Sequence, residues 1–204
     1  MALSLRHRSS APAPPHALRE LADEDLMALV RRGETAAFEV IYDRHCGVAF
    51  SLAYRICGTR SAAEDVVQES FLSLWRSGAR YDRTRGSVRT WVLGIVHNRA
   101  IDSLRRSVHR ERRQSADEGI EERFEAPELT EVEAARRDEA RGIRAALDEL
   151  PDEQSRVIEL AFYGGYSHSE IAELLGAPIG TIKGRMRLGM EKMRRTLEAQ
   201  GMVA

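Results

Sequence analysis

Cysteine is nearly absent. Two in 204 residues cannot build the disulfide framework of a small secreted domain, and so sparing a use suits a reducing compartment. Long apolar runs are missing as well. Ile95-Val96 and the glycine-interrupted stretch from Trp91 to Val96 fall far short of the roughly 18 residues a membrane-spanning helix needs. The N-terminus carries no apolar signal-peptide core, so the expected location is cytoplasmic, without direct membrane insertion. Alternation with period two is nowhere sustained, so strands are not expected and the expected fold class is all-α. What is present is 43% hydrophobic and 31% charged residues, enough to fold in water. At about 150 residues per domain, the length allows one or two modest cores and excludes large barrels.

The net charge of −1 conceals three blocks. Arg76 to Arg113 holds eleven arginines against Asp82, Asp102 and Glu111, a balance of +8. Ser115 to Glu133 holds eight acids against Arg123 alone, a balance of −7. Gly176 to Arg195 holds six Lys/Arg against Glu191. Two polyanion-facing surfaces flanking a repelling or decoy linker give this pattern, and so do ordinary solvated helix faces.

The organisation follows. Residues 1–19, which include Ser9-Ser10-Ala11-Pro12-Ala13-Pro14-Pro15, are expected to be a disordered leader. A first helical domain spans 20–110, an acidic linker 111–134, and a second helical domain 135–200. Within the first, Leu26, Leu29, Val30, Phe38, Ile41, Val48, Leu52 and Ile56 recur at helical steps, with Gly33 and Gly47 as candidate breaks. Ser61-Ala62-Ala63-Glu64 has the form of a capping box opening a helix to about Arg76. Its inner face is Ala63, Val66, Val67, Phe71, Leu74 and Trp75, which aligns Asp65, Gln68, Glu69, Leu72 and Arg76 on the other. That second stripe is either solvated or a partner surface.

Ser77 to Ser87 reads as a loop carrying Tyr81, Arg83 and Arg85. The helix that follows from Val88 presents Asn98, Asp102, Arg105, His109 and Arg112 in one polar row, with Arg99, Arg106, Arg110 and Arg113 beside it. Arginines for phosphates beside an exposed Tyr81 for an unstacked base are what nucleic-acid binding uses.

The strongest local signal starts at Ser167. Ser167-His168-Ser169-Glu170 is a second capping box, and the helix it opens stops at Gly176-Ala177-Pro178. A following helix takes Ile179, Ile182, Met186, Met190, Met193 and Leu197 as its buried stripe. The pair, over 167–186, fits a DNA-binding helix-turn-helix. Thr181, Gly184 and Leu188 then face outward, flanked by Lys183, Arg185 and Arg187. The bland alternative is an amphipathic hairpin with a basic face.

Four segments together resemble the sigma-70 family of bacterial transcription initiation factors, in its small extracytoplasmic-function (ECF) group. They are Ala63 to Leu72, Trp91 through Asn98-Arg99-Ala100-Ile101-Asp102-Ser103-Leu104-Arg105, Leu150-Pro151 with Arg156, and Ile171-Ala172-Glu173-Leu174-Leu175-Gly176 to Gly180-Thr181-Ile182-Lys183. The resemblance implies that Asp65, Gln68, Glu69, Leu72 and Arg76 dock on RNA polymerase core (its β′ and β subunits). It implies that Tyr81, Arg83 and Arg85, with Arg89, Asn98, Arg99, Asp102, Arg105 and Arg106, open and read the −10 promoter element. Thr181, Lys183, Gly184, Arg185, Arg187 and Leu188 would read the −35 element. It further implies control by an anti-sigma factor, which could hold the otherwise nucleoid-associated protein at the membrane, and a linker threaded near the polymerase active site. The sequence departs from the family pattern at Gly184, often Ser, and at Leu188-Gly189-Met190, where Arg-Ala-Arg is common.

Two rivals explain less. An enzyme acting on DNA needs a supported nucleophile or a carboxylate-held metal on a rigid core, and the N-terminal segment offers neither. A regulator with a LuxR-like helix-turn-helix accounts for 150–198 only. The chain is therefore expected to be no enzyme and to need no cofactor or metal. His45, Cys46 and Cys57 are candidates for a metal or redox site, a reading set below a structural one. On one helix the two thiols would sit about 16 Å apart at ~1.5 Å per residue, beyond disulfide reach.

Overall fold

A computed structural model describes residues 15–77, 81–114 and 142–201. The acidic stretch 115–133 lies outside the described residues, as do residues 1–14. Among the described residues the regular structure is helical, with no strand. The chain divides into two compact units, Met1–Ser103 and Leu104–Ala204.

In the first unit, α1 (Pro15–Leu18), α2 (Asp23–Val30), α3 (Thr35–Cys57), α4 (Arg60–Ser77) and the start of α5 (Val88–Gln114) are joined by short connections, with a 3₁₀ turn at Arg83–Arg85. The central helix is α3, which packs against α1, α2 and α4. Its inward positions include Ala37, Ala49 and Ala53, all fully buried beside Ile41; alanines there let neighbouring backbones approach closely. Val88, Val92, Val96 and Ala100 of α5 are buried at strict four-residue steps, which makes a narrow seam of three stiff β-branched valines ending on an alanine.

Several local expectations need correction. The leader ends earlier than residue 19, because α1 is formed and Leu18 is buried. Arg44 holds this segment down by donating to the carbonyls of Leu21 (2.9 Å) and Arg19 (2.7 Å) and to the Asp23 carboxylate (2.5 Å). Gly47 does not break α3, which runs through it for 23 residues. One glycine costs a helix about 1 kcal/mol, and packing on three sides outweighs that. The breaks fall at Gly33 and Gly58, whose φ values are +86° and +75°.

The capping box at Ser61 is not made either. Helix α4 starts at Arg60, the Thr59 hydroxyl accepts from the Ala62 amide (3.4 Å), and Glu64 is taken by Arg60 (2.8 Å).

The second unit has a helix at 142–148 (α6), then α7 (Asp152–Phe162), α8 (His168–Leu175) and α9 (Ile179–Ala199). Val157, Ile171 and Ile182, one from each of the last three helices, are fully buried together, with Leu160, Ala161, Ala172, Ala177 and Met186 around them. Ser167 does form its capping box: its hydroxyl accepts from the Glu170 amide (3.3 Å), and its own amide donates to the Glu170 carboxylate (2.7 Å). Gly176, at φ +59°, ends α8 in the left-handed region and turns the chain toward α9.

The buried stripe of α9 is narrower than the spacing predicts. Ile179 and Met190 are exposed, at 44% and 53%. The seam against α7 runs through Ile182 and Gly189 instead, both buried. A Cβ at Gly189 would lie 2.8 Å from Ile158 Cδ1 and 3.2 Å from Gln154 Cβ, so the absent side chain sets the α7–α9 approach.

Candidate nucleic-acid and partner interfaces

The face of α4 opposite its buried residues presents Asp65, Gln68, Glu69, Leu72 and Arg76, all exposed, Leu72 at 53%. Its backing is aromatic. Phe38 of α3 meets Phe71 edge-on (6.3 Å between centroids) and Trp75 (5.1 Å), and Tyr42 meets Phe71 (4.8 Å). Tyr42, itself 40% exposed, adds an aromatic beside α4 that sequence spacing did not single out. Residues on α3 and α4 become neighbours only when the helices pack, so no local pattern marks it. The stripe joins one large aliphatic to three acids or amides and a cation, a composition suited to a protein partner.

Tyr81 is not the exposed base platform that the loop composition suggests. It is half-buried, its ring lies 5.4 Å from Trp91, and its hydroxyl donates to the Gly86 carbonyl (3.0 Å). Partial burial first, and the Glu24 carboxylate second, hold its phenol above the ordinary range. Asp82 orders the turn by accepting from the Thr84 amide and hydroxyl (3.0 and 2.7 Å), and those hydrogen bonds lower its carboxyl below the ordinary range. Arg83 and Arg85 project from that turn, exposed.

On α5, Asn98, Asp102, Arg105 and Arg106 are exposed, while Arg89 and Arg99 are half-buried. Arg99 donates to Glu69 of α4 across 3.0 Å, so one ion pair joins the arginine row to the α4 stripe. The side chains of His109, Arg110, Arg112 and Arg113 lie outside the described residues.

The outward face of α9 carries Thr181 and Leu188, both exposed, with Gly184 half-buried between them and no neighbour within 4 Å of where its Cβ would stand. Lys183 and Arg187 are exposed on one flank. Arg185 is placed differently from the spacing's suggestion: it reaches back to Glu153 in the first turn of α7 (2.7 Å). Glu153 therefore orients a basic side chain of the second helix, and its position 32 residues earlier gives no local signal of that role.

Among the described residues no group of His, Cys, Asp and Glu is placed to hold a metal, and no helix is long and apolar enough to cross a membrane. Both cysteines are free thiols on α3. His45 is buried against the Asp23 carboxylate (2.7 Å).

Residues 41–110 match the family model for sigma-70 region 2, and residues 140–193 that for sigma-70 region 4. The chain is also 36% identical over 179 residues to the ECF RNA polymerase sigma factor SigK of Mycobacterium ulcerans, covering 86% of this chain and 95% of that one. The chain belongs to the ECF group of the sigma-70 family. The SigK of Mycobacterium bovis BCG is similar at 33% over 177 residues, covering 85% of this factor and 94% of its own length. Among solved structures, Rhodobacter sphaeroides SigE in complex with the anti-sigma ChrR shares 28% identity, at a TM-score of 0.44, over 87% of this factor and 98% of that chain. In this sigma factor, α4 and the 3₁₀ turn lie in region 2, and α7, α8 and most of α9 lie in region 4.

Proposed function

We propose that this sigma factor docks on RNA polymerase core through the α4 stripe, reads and opens the −10 element with α5 and the Arg83–Arg85 turn, and reads the −35 element with α9. The observation carrying this is the succession of two basic helical surfaces, each backed by its own core, with the α4 stripe beside the first. Arginine and lysine supply phosphate affinity, and a helix-turn-helix supplies base readout in the major groove. Arg185 serves as a positioning residue for α9 through Glu153, and Tyr81 as a brace for the loop. Helix α5 runs to Gln114, past the expected linker start at 111, and the acidic segment 115–133 that follows acts as a charge mimic of nucleic acid in a basic channel of polymerase. An anti-sigma factor that covers the α4 and α9 faces controls the protein, a reading that rests on its membership of the ECF group.

The test is affinity for core enzyme. Asp65→Arg with Leu72→Arg removes binding while circular dichroism stays unchanged, because both side chains point away from the Phe71 core. Unchanged affinity would assign docking to another face.

A further inference from the structure

On the α9 face proposed to meet DNA, two arginines carry ion pairs within the protein, and Lys183 stands exposed on its flank. Arg185 is held by Glu153. Arg187 and Arg195 both pair with Glu191 one turn away. What projects between them is Thr181, the bare backbone at Gly184, and Leu188, 42% exposed. A leucine has no donor or acceptor for a base edge. In the major groove its one discriminating contact is with the thymine C5-methyl group, which cytosine lacks. The basic flank of Lys183 and Arg187 attracts phosphates on either side of that apolar point, which favours a DNA edge over a protein as its occupant.

We propose that Leu188 and Thr181 recognise thymine methyl groups, so that the upstream element of this factor's promoters is selected for thymines at two positions. This rests on the assignment of α9 as the −35 reader. Seven residues of helix separate the two side chains by about 10.5 Å, which spans about three base pairs at ~3.4 Å each. The two thymines therefore lie about three steps apart. Gly184, midway, lets the helix backbone settle to the depth at which both methyl-bearing side chains reach.

The experiment uses holoenzyme assembled from the full chain and core polymerase, on the strongest promoter recovered from a genomic-fragment library. Each thymine of the upstream element is replaced singly by deoxyuridine, which removes the methyl and nothing else. Loss of one such contact weakens binding about fourfold, the equivalent of one buried methyl group. At one thymine, holoenzyme carrying Leu188→Ala no longer distinguishes thymine from uracil, while Thr181→Ser abolishes the distinction at the other. The inference is overturned if no thymine responds, if the upstream element contains none, or if Leu188→Ala weakens thymine and uracil duplexes alike. It is also overturned if Leu188→Ala reduces affinity for core polymerase, which would give this face to a protein. Failure of a holoenzyme that forms normally to recognise any promoter would instead remove the underlying assignment of α9.

Discussion

Glu69 of α4 and Arg99 of α5 meet across 3.0 Å, and each belongs to a different candidate surface: Glu69 to the stripe proposed to dock on polymerase, Arg99 to the row proposed to read the −10 element. Both side chains are partly open to solvent, 58% and 35%, so the pair contributes little to stability, on the order of 0.2–1 kcal/mol. Its consequence is orientation: it holds a guanidinium at the boundary of two interfaces.

Removing either partner should leave folding almost untouched and change function selectively. Arg99→Ala lowers promoter affinity and reduces the slope of log affinity against log salt by about one, as expected for a lost phosphate contact. Glu69→Gln leaves that slope unchanged and weakens core binding. An unaltered slope for Arg99→Ala would confine Arg99 to bracing α4. Titrations at several salt concentrations decide between these.

The core of the second unit is small, so single changes there are severe. Ile182→Ala empties one of the three fully buried positions that α7, α8 and α9 bring together and should cost about 2–5 kcal/mol. Gly189→Leu should destabilise comparably, because side-chain atoms must enter the space of Ile158 and Gln154. Thermal unfolding should show the second unit melting earlier with the first unit unchanged; a common shift in both would contradict the division.

Helical periodicity made much of this architecture legible. The inner face of α4 and the Ser167 cap are local chemistry, readable within a few residues. What stayed hidden depended on which helix covers which. A 100° step per residue places Met190 and Gly189 near one another on α9, yet only Ile158 arriving from α7 decides that the glycine is buried and the methionine exposed. Ser61 and Thr59 are both capable caps. Arg60, by occupying Glu64, favours Thr59. Glu153 and Tyr42 acquire their places from partners distant in sequence.

Cys57 gives a pH-dependent check of the first unit. Burial, only partly offset by a Ser103 hydrogen bond, pushes its thiol above the ordinary value. A neutral form favoured by folding contributes stability that is full below the unfolded thiol's range and is lost as pH rises through the raised native value. Stability of wild type should therefore fall more steeply than that of Cys57→Ala above about pH 9, measured by denaturant unfolding across pH. Parallel curves would mean the thiol is solvated.

The central claim is promoter-specific initiation by one chain with two DNA readers, and transcription from a genomic promoter library by core polymerase plus this protein tests it directly. The account predicts initiation at a limited set of start sites sharing two upstream elements. These sites should be lost with Asp65→Arg plus Leu72→Arg and changed in sequence preference with Leu188→Arg. Transcripts indistinguishable from those of core enzyme alone would contradict it.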